Sequence, residues 1–340
     1  MWQTLNVDGY EYVAKLKNQN GHTQAILAIH SLKQGPALGG CRFQTYKDAD
    51  HALREVLYLA KAMSFKNALA ELPFGGGKIV LIENNIDSKP AVLSETAEFL
   101  NELNGAYIAG PDIGTNELDM DELRKHSEHV VCYTGFIKEA PLSSLTALGV
   151  YSAIKAALFF LTDNTEIKNK QIWIQGLGKT GYSLLTRCLH DGALPTISEK
   201  TPTLLEQVKR QFSVPEINQN QISQYHFDVF SPCGESGTIT SEFINLINTS
   251  IICGSANAPL LEDNLIYPLH EKGIVFLPDY LVNAGGVIGI ASTLENNDFS
   301  TTQQKVERIY ERTLAILTEA QALNLPPAEL TGQIVRKVFG

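Results

Sequence analysis

The stretch QIWIQGLGKTGYSLLTRCLHDGALPTISEK, residues 171–200, decides the fold. An apolar run over 171–175 reads as a strand, 178–190 as an amphipathic helix and 194–198 as a second strand. At the first junction Gly176, Gly178 and Gly181 form GxGxxG. Such glycines allow the tight turn, admit a pyrophosphate close to the backbone and let the helix pack on the strand. The helix N-terminus, with Lys179 and Thr180 in its first turn, offers unpaired N–H groups and a favourable dipole for phosphates. Glu199 stands at the end of the second strand. A carboxylate there accepts from a ribose 2′-hydroxyl and repels a 2′-phosphate, which favours NAD over NADP. Alone, the triplet is often only a turn; strand, helix, second strand and acid together make it a dinucleotide site.

Downstream the alternation continues: helix 202–212, strands 227–230 and 250–253, helix 261–272 and strand 274–277. That pattern predicts a parallel, doubly wound sheet. The tail, 303–323 and 326–339, is helical again. Upstream, a helix over 148–161 and a polar linker over 163–170 precede the sheet. Before about Pro141 the character is mixed. Strands are expected over 10–16, 24–30 and 106–109, a helix over 49–64, and a helix opened by Pro90 and ended at Gly105. GPALGGCR (35–42) reads as a glycine-rich turn. The expected architecture is α/β with two domains and an active-site cleft between them. Residues 1–140 are expected to form one domain, with C-terminal helices over about 316–340 packing back on it, and 141–315 a Rossmann-type NAD domain.

A second glycine cluster lies in ALAELPFGGGKIVL (68–81), where Gly75, Gly76 and Gly77 lead into Lys78 and an apolar strand. Three glycines in a row are costly in backbone entropy and imply a tight turn or a close approach. A P-loop is excluded, because GxxxxGK[ST] needs glycine at Leu72 and a hydroxyl residue at Ile79. Lys78, at the mouth of a buried strand, is a candidate general base. A second lysine, Lys66, ends the preceding helical segment. Either lysine alone is as readily a surface residue.

Composition sets the outer bounds. At 340 residues and 44% hydrophobic content the chain is globular and long enough for two domains. A formal charge of −10 disfavours nucleic acid and anionic membranes as partners. No apolar run reads as a membrane span, the longest (149–161) being interrupted by Lys155, and the N-terminus lacks the features of a signal peptide. Five cysteines without a CxxC predict reduced, mostly buried thiols and a cytoplasmic setting. The histidines lack paired ligand spacing, so no metal is expected.

Eight segments in order, GPALGGCR (35–42), AKAMSFKNALAELPFGGGK (60–78), GPDIGT (110–115), LTALGV (145–150), GLGKTG (176–181), SPCG (231–234), GSAN (254–257) and PDYLVNAGGV (278–287), resemble the Glu/Leu/Phe/Val amino-acid dehydrogenases, closest to the leucine and phenylalanine branch. The resemblance covers nearly the whole chain. It implies NAD-dependent, reversible oxidative deamination of an apolar L-amino acid, leucine or another branched-chain residue first, to the 2-oxo acid and ammonia. Catalysis would fall to Lys78, activating water, and to Asp112, exchanging protons with substrate nitrogen or water. Lys66 would bind the substrate carboxylate. Leu38, Gly39, Gly40, Met63, Gly110, Val287 and Ile290 would line the substrate site. Thr146, Asn257 and Asn283 would meet the nicotinamide side, the two asparagines near substrate as well. Relatives imply a homo-oligomer, with residues 1–140 as the substrate-binding and oligomerisation domain.

The chain departs from the family pattern in TGFIKEAPLSSLT, at Cys41, in GSANAPL and at Gly289, none of them a proposed proton-transfer group. An aromatic amino-acid dehydrogenase is the alternative within the family, since Gly110 widens the pocket. A 2-hydroxy-acid dehydrogenase would place arginine and histidine where lysines stand here. A dinucleotide-binding sensor without activity would be expected to lack Lys66, Lys78 or Asp112.

Overall fold

The computed structural model describes residues 2–137, 140–217 and 219–339. The chain forms two compact units, Met1–Glu139 with Val338–Gly340, and Ala140–Lys337. Lys138 and Glu139, in the loop that departs from the family pattern, lie outside the described residues.

The first unit is built on six strands: β1 (Trp2–Leu5), β2 (Tyr12–Lys17), β3 (Thr23–Ser31), β4 (Ala37–Gln44), β5 (Gly75–Ile82) and β6 (Tyr107–Pro111). They lie in the order β1-β2-β3-β5-β4-β6. The pairs from β1 to β5 are antiparallel, whereas β4 runs parallel to both β5 and β6. Alternation along the strands sends successive side chains to opposite faces. Ile26, Ala28, Val80 and Ile82 pack with Ala52, Val56 and Ala60 of helix α1 (Ala49–Leu69). Leu27, Ile79 and Leu81 pack on the other face with Val92 and Phe99 of α2 (Lys89–Glu102) and Met120 of α3 (Glu117–Arg124).

Two glycine segments behave differently from the local reading. GPALGGCR is mostly strand β4, not a turn, and Gly75–Gly77 are the first three residues of β5. Glycine has no Cβ to favour one backbone basin, so tertiary packing decides its conformation. A Cβ on Gly76 would lie 2.0 Å from the Ser64 nitrogen, and one on Gly77 would lie 2.6 Å from the Tyr107 ring. The run therefore serves close approach of α1 on one face and of Tyr107 on the other. Helix α1 extends beyond the expected residue 64 to Leu69, and Asn67 in its last turn donates to the Gly75 carbonyl at 2.6 Å.

The second unit opens with α4 (Leu142–Thr162), followed by β7 (Gln171–Gln175), α5 (Lys179–His190), β8 (Leu194–Ser198), α6 (Pro202–Phe212), β9 (Phe227–Pro232), α7 (Ser241–Leu246), β10 (Thr249–Ile252), α8 (Ile266–Glu271) and β11 (Val275–Phe276). The five strands form one parallel sheet in the order β11-β10-β9-β7-β8. This is the doubly wound arrangement expected. The helix expected over 261–272 is shorter, α8 being preceded by a 3₁₀ turn over Asp263–Leu265.

Four short elements and a tail complete the unit: α9 (Asp279–Val282), α10 (Gly285–Leu294), α11 (Phe299–Glu307), α12 (Ile309–Leu323) and α13 (Pro327–Phe339). Residues up to Lys337 group with this unit, and Val338–Gly340 with the first. At Gly149 of α4 a Cβ would lie 2.7 Å from the Ile309 side chain and 2.8 Å from the Val282 carbonyl. The bare helix surface there admits α9 and α12. Helix α4 is long and apolar enough to cross a membrane by composition, more than the sequence reading allowed, but two-thirds of that window (67%) is buried inside the protein. It is a core helix. Phe339 stacks on Phe65 at 6.4 Å, which places the last described residue in the first unit.

Candidate active site

In the first unit the parallel register sets Leu38 beside Gly76 and Gly40 beside Gly110. Leu38, Gly40, Gly76 and Lys78 thus share the face that α1 covers, and α1 carries Met63 and Lys66. Lys78 is buried, with 6% of its surface exposed, so its ammonium needs a partner. That partner is Asp112, just past β6, whose Oδ2 lies 2.8 Å from Lys78 Nζ. Arg42 Nε donates to the same oxygen at 2.8 Å, and Arg42 Nη1 pairs with Glu55 of α1. Burial alone would raise the Asp112 pKa, but the Lys78 and Arg42 cations outweigh it and hold the carboxyl well below the usual range. Asp112 is an ionised group.

Gly40 makes room for this pair: a Cβ there would lie 2.8 Å from Asp112 Cβ and 3.0 Å from Lys78 Nζ. Gly110 is next to Val131, whose Cγ2 would be 3.3 Å from an added Cβ. Gly39 is bare toward the other face of the sheet. Its missing Cβ points at the Gly77 carbonyl (1.9 Å) and the Tyr107 hydroxyl (2.8 Å), on the opposite face from Lys78. Thr115 fixes the Asp112 loop, donating to the Cys41 carbonyl at 2.7 Å and accepting from the Asp112 backbone N–H at 2.9 Å.

In the second unit the GxGxxG segment turns between β7 and α5 as its spacing requires. Gly176 has φ +94°, and a Cβ on Gly181 would lie 2.0 Å from the Gly176 carbonyl and 3.2 Å from Cys233 Cβ. Gly178 has nothing within 4 Å of its Cβ position, and Lys179 and Thr180 follow in the first turn of α5. Glu199 follows β8 and accepts from the Leu177 N–H at 2.6 Å and the Thr201 N–H at 2.8 Å. A carboxylate has about four acceptor sites, so capacity for ribose hydroxyls remains. The bare glycine cradle, the helix N-terminus and the acid together fit a dinucleotide.

Asn257 and Asn283 meet in this unit. Asn283 Nδ2 donates to the Ser255 carbonyl at 3.1 Å and to Asn257 Oδ1 at 3.0 Å. Asp279 steadies the same loop, accepting from the Ala258 N–H at 3.1 Å, where Ala258 sits at φ +44°. Thr146 donates to the Leu142 carbonyl, and its oxygen would lie 3.0 Å from a Cβ on Gly286. Val287 is half-buried and Ile290 buried, both on α10.

Sequence reasoning left Arg42, Glu55, Val131 and Asp279 unassigned. Arg42 did carry a signal: it is two residues past Gly40 on the same strand and therefore on the same face. Among the described residues no group of three or more His, Cys, Asp or Glu could hold a metal ion.

Comparisons with known proteins bear on this geometry. Residues 10–129 match the Glu/Leu/Phe/Val dehydrogenase dimerisation domain, and 186–322 match the Glutamate/Leucine/Phenylalanine/Valine dehydrogenase domain. A phenylalanine dehydrogenase of Thermoactinomyces intermedius is 35% identical over 98% of this chain and 93% of its own. A leucine dehydrogenase of Geobacillus stearothermophilus is 33% identical over 96% of this chain and 89% of its own. The crystal structure of an L-tryptophan dehydrogenase from Nostoc punctiforme superposes with a TM-score of 0.82 at 30% identity, covering 97% of this chain and 96% of that one.

Proposed function

The chain belongs to the Glu/Leu/Phe/Val dehydrogenase family, and from that premise we propose that it is an NAD-dependent deaminase of apolar L-amino acids, with leucine preferred. The observation that carries the reading is the buried Lys78–Asp112 pair at the glycine-bare face of the first unit. When bound, a nicotinamide dinucleotide accepts hydride from the substrate Cα. Lys66 holds the substrate carboxylate, as the family resemblance implies. Lys78, once neutral, takes a proton from the water that adds to the resulting iminium carbon. Asp112, anionic at rest, takes a proton from the substrate ammonium before hydride leaves and returns it to the carbinolamine nitrogen. Collapse of the carbinolamine gives the 2-oxo acid and ammonia.

NAD is preferred because Glu199 would face a 2′-phosphate with like charge. A homo-oligomer is in keeping with the match to a dimerisation domain, and cytoplasmic residence with five free thiols. Leu38, Val287 and Ile290, which the family resemblance assigns to the substrate side chain, are all apolar and offer no cation for a second carboxylate, which disfavours glutamate. Gly110 favours a second reading, an aromatic substrate, since only Val131 narrows the space at its Cβ position. Incubation with NADH, ammonium and a panel of 2-oxo acids tests both: the 2-oxo analogue of leucine should turn over fastest. A tenfold preference for an aromatic 2-oxo acid would establish the second reading, and no turnover of any would end the enzymatic one.

A further inference from the structure

Two cations converge on one oxygen of Asp112, yet the proposed chemistry uses only one of them. The other, Arg42, is 7% exposed and bound on its far side by Glu55. An arginine keeps its proton under all ordinary conditions, whereas a lysine acting as a base must give its proton up. Without Arg42, loss of the Lys78 proton would leave a largely buried carboxylate with no counter-charge. Asp112 would then hold the lysine proton tightly, and the base would form only at higher pH.

We propose that Arg42 and Glu55 are positioning residues that set, through Asp112, the pH at which Lys78 becomes a competent base. The inference rests on the role given above to Lys78 and Asp112. Arg42 lowers the affinity of Lys78 for its proton by sharing the Asp112 charge, and Glu55 moderates Arg42. The guanidinium bridges two carboxylates, Nε to Asp112 and Nη1 to Glu55, which anchors Asp112 Oδ2 and leaves Oδ1 for substrate.

Other ionisable groups around Lys78 do not compete for this role. Burial pushes the Cys41 thiol on β4 up to about 12 and raises the Tyr107 phenol on β6 well above its ordinary range, so both stay neutral. Burial likewise raises Tyr46, the neighbour of Glu55 and Arg42. Lys89 and Asp119, on α2 and α3, neutralise each other at 2.8 Å. Lys66 on α1 and the substrate ammonium are common to every variant compared, so differences between profiles come from the substituted residue alone.

The test is the pH dependence of kcat/KM for wild type, Arg42→Gln and Glu55→Gln, with Lys78→Ala as a control. In Arg42→Gln the ascending limb should move to higher pH by about one unit or more, with activity at pH 8 lost and partly regained at pH 10. In Glu55→Gln the same limb should move the other way, by a smaller amount. A merely structural part for either residue would lower activity at all pH values without moving the limb. Arg42→Lys, which keeps the charge but not the fork, should restore the limb while kcat stays reduced. Limbs that coincide with wild type in Glu55→Gln and in whichever Arg42 variants fold would overturn the inference. If Lys78→Ala is inactive in that case, the reading of Lys78 stands without it; if Lys78→Ala is as active as wild type, that reading falls and the inference with it.

Discussion

At Gly40 a single hydrogen separates a working ion pair from a blocked one. An alanine methyl there would lie within 3.0 Å of both Asp112 and Lys78, and their ion pair together with the burial of Lys78 holds both side chains in place. Gly40→Ala should therefore leave the fold intact but displace the pair by a fraction of an ångström to an ångström, lowering kcat/KM by about a hundredfold. Circular dichroism and steady-state rates measured together check this. Asp112 itself links activity to stability. Its folded-state pKa is depressed, so its contribution is fully present above about pH 4, its unfolded value, and is lost as pH falls towards the folded one. Asp112→Asn should lower stability at pH 7 by about 3 kcal/mol, read as a lower Tm, since it leaves Lys78 without a counter-charge. The gap to wild type should close as pH drops below about 4. A gap that stays constant from pH 7 to pH 3 would show that Asp112 is not held ionised.

Between elements, the three fingerprint glycines do different work. Gly181 admits α5 against the β7 turn, where a Cβ would meet the Gly176 carbonyl at 2.0 Å. Gly178 has open space around its Cβ position and an ordinary φ of −58°. Gly178→Ala should fold with an unchanged Tm and bind NADH more weakly, because its methyl enters the space a pyrophosphate needs. Gly181→Ala should lower Tm by several degrees even without ligand. Thermal melts with and without NADH separate the two; equal loss of Tm in both would refute the division. This segment was legible in the sequence because its signals are local: a turn, a helix start and an acid at a strand end. The glycines of β4 and β5 were not, because glycine fits any backbone basin and only Ser64, Tyr107 and the neighbouring strands make those segments extended. Strand β1 gave no signal of its own, since Trp2–Leu5 becomes a strand through pairing with β2.

At the scale of the whole chain, the sequence placed the start of the sheet-rich second half and gave the family by eight motifs in order. The sequence carried no signal for the fit of α9 and α12 against α4, which depends on the bare flank at Gly149, far away in the chain. It missed Arg42 as a functional residue for the same reason, because Glu55 and Asp112 meet it only in the folded sheet. Assembly remains a property of several chains. With a match to a dimerisation domain over residues 10–129, light scattering at micromolar concentration should give a multiple of the 37.3 kDa chain mass. A single species at the chain mass would refute the homo-oligomer.

The distribution of sulfur makes the protein its own reporter. Cys41, Cys132, Cys188 and Cys253 are buried, and burial pushes each thiol well up from its ordinary range. Cys233 alone is half-exposed, beside Gly181 at the foot of the phosphate-binding turn. A small trifluoromethyl thiol reagent should attach one label per native chain, and all five cysteines should react in denaturant. The attached fluorine would sit where a dinucleotide arrives, so its NMR line should shift on adding NADH, and NADH added first should slow the labelling. Two or more labels on the native chain would show that the buried thiols are reached by opening of the fold. The cysteine that chemistry leaves idle thus gives a background-free magnetic readout of cofactor arrival, without any engineered residue.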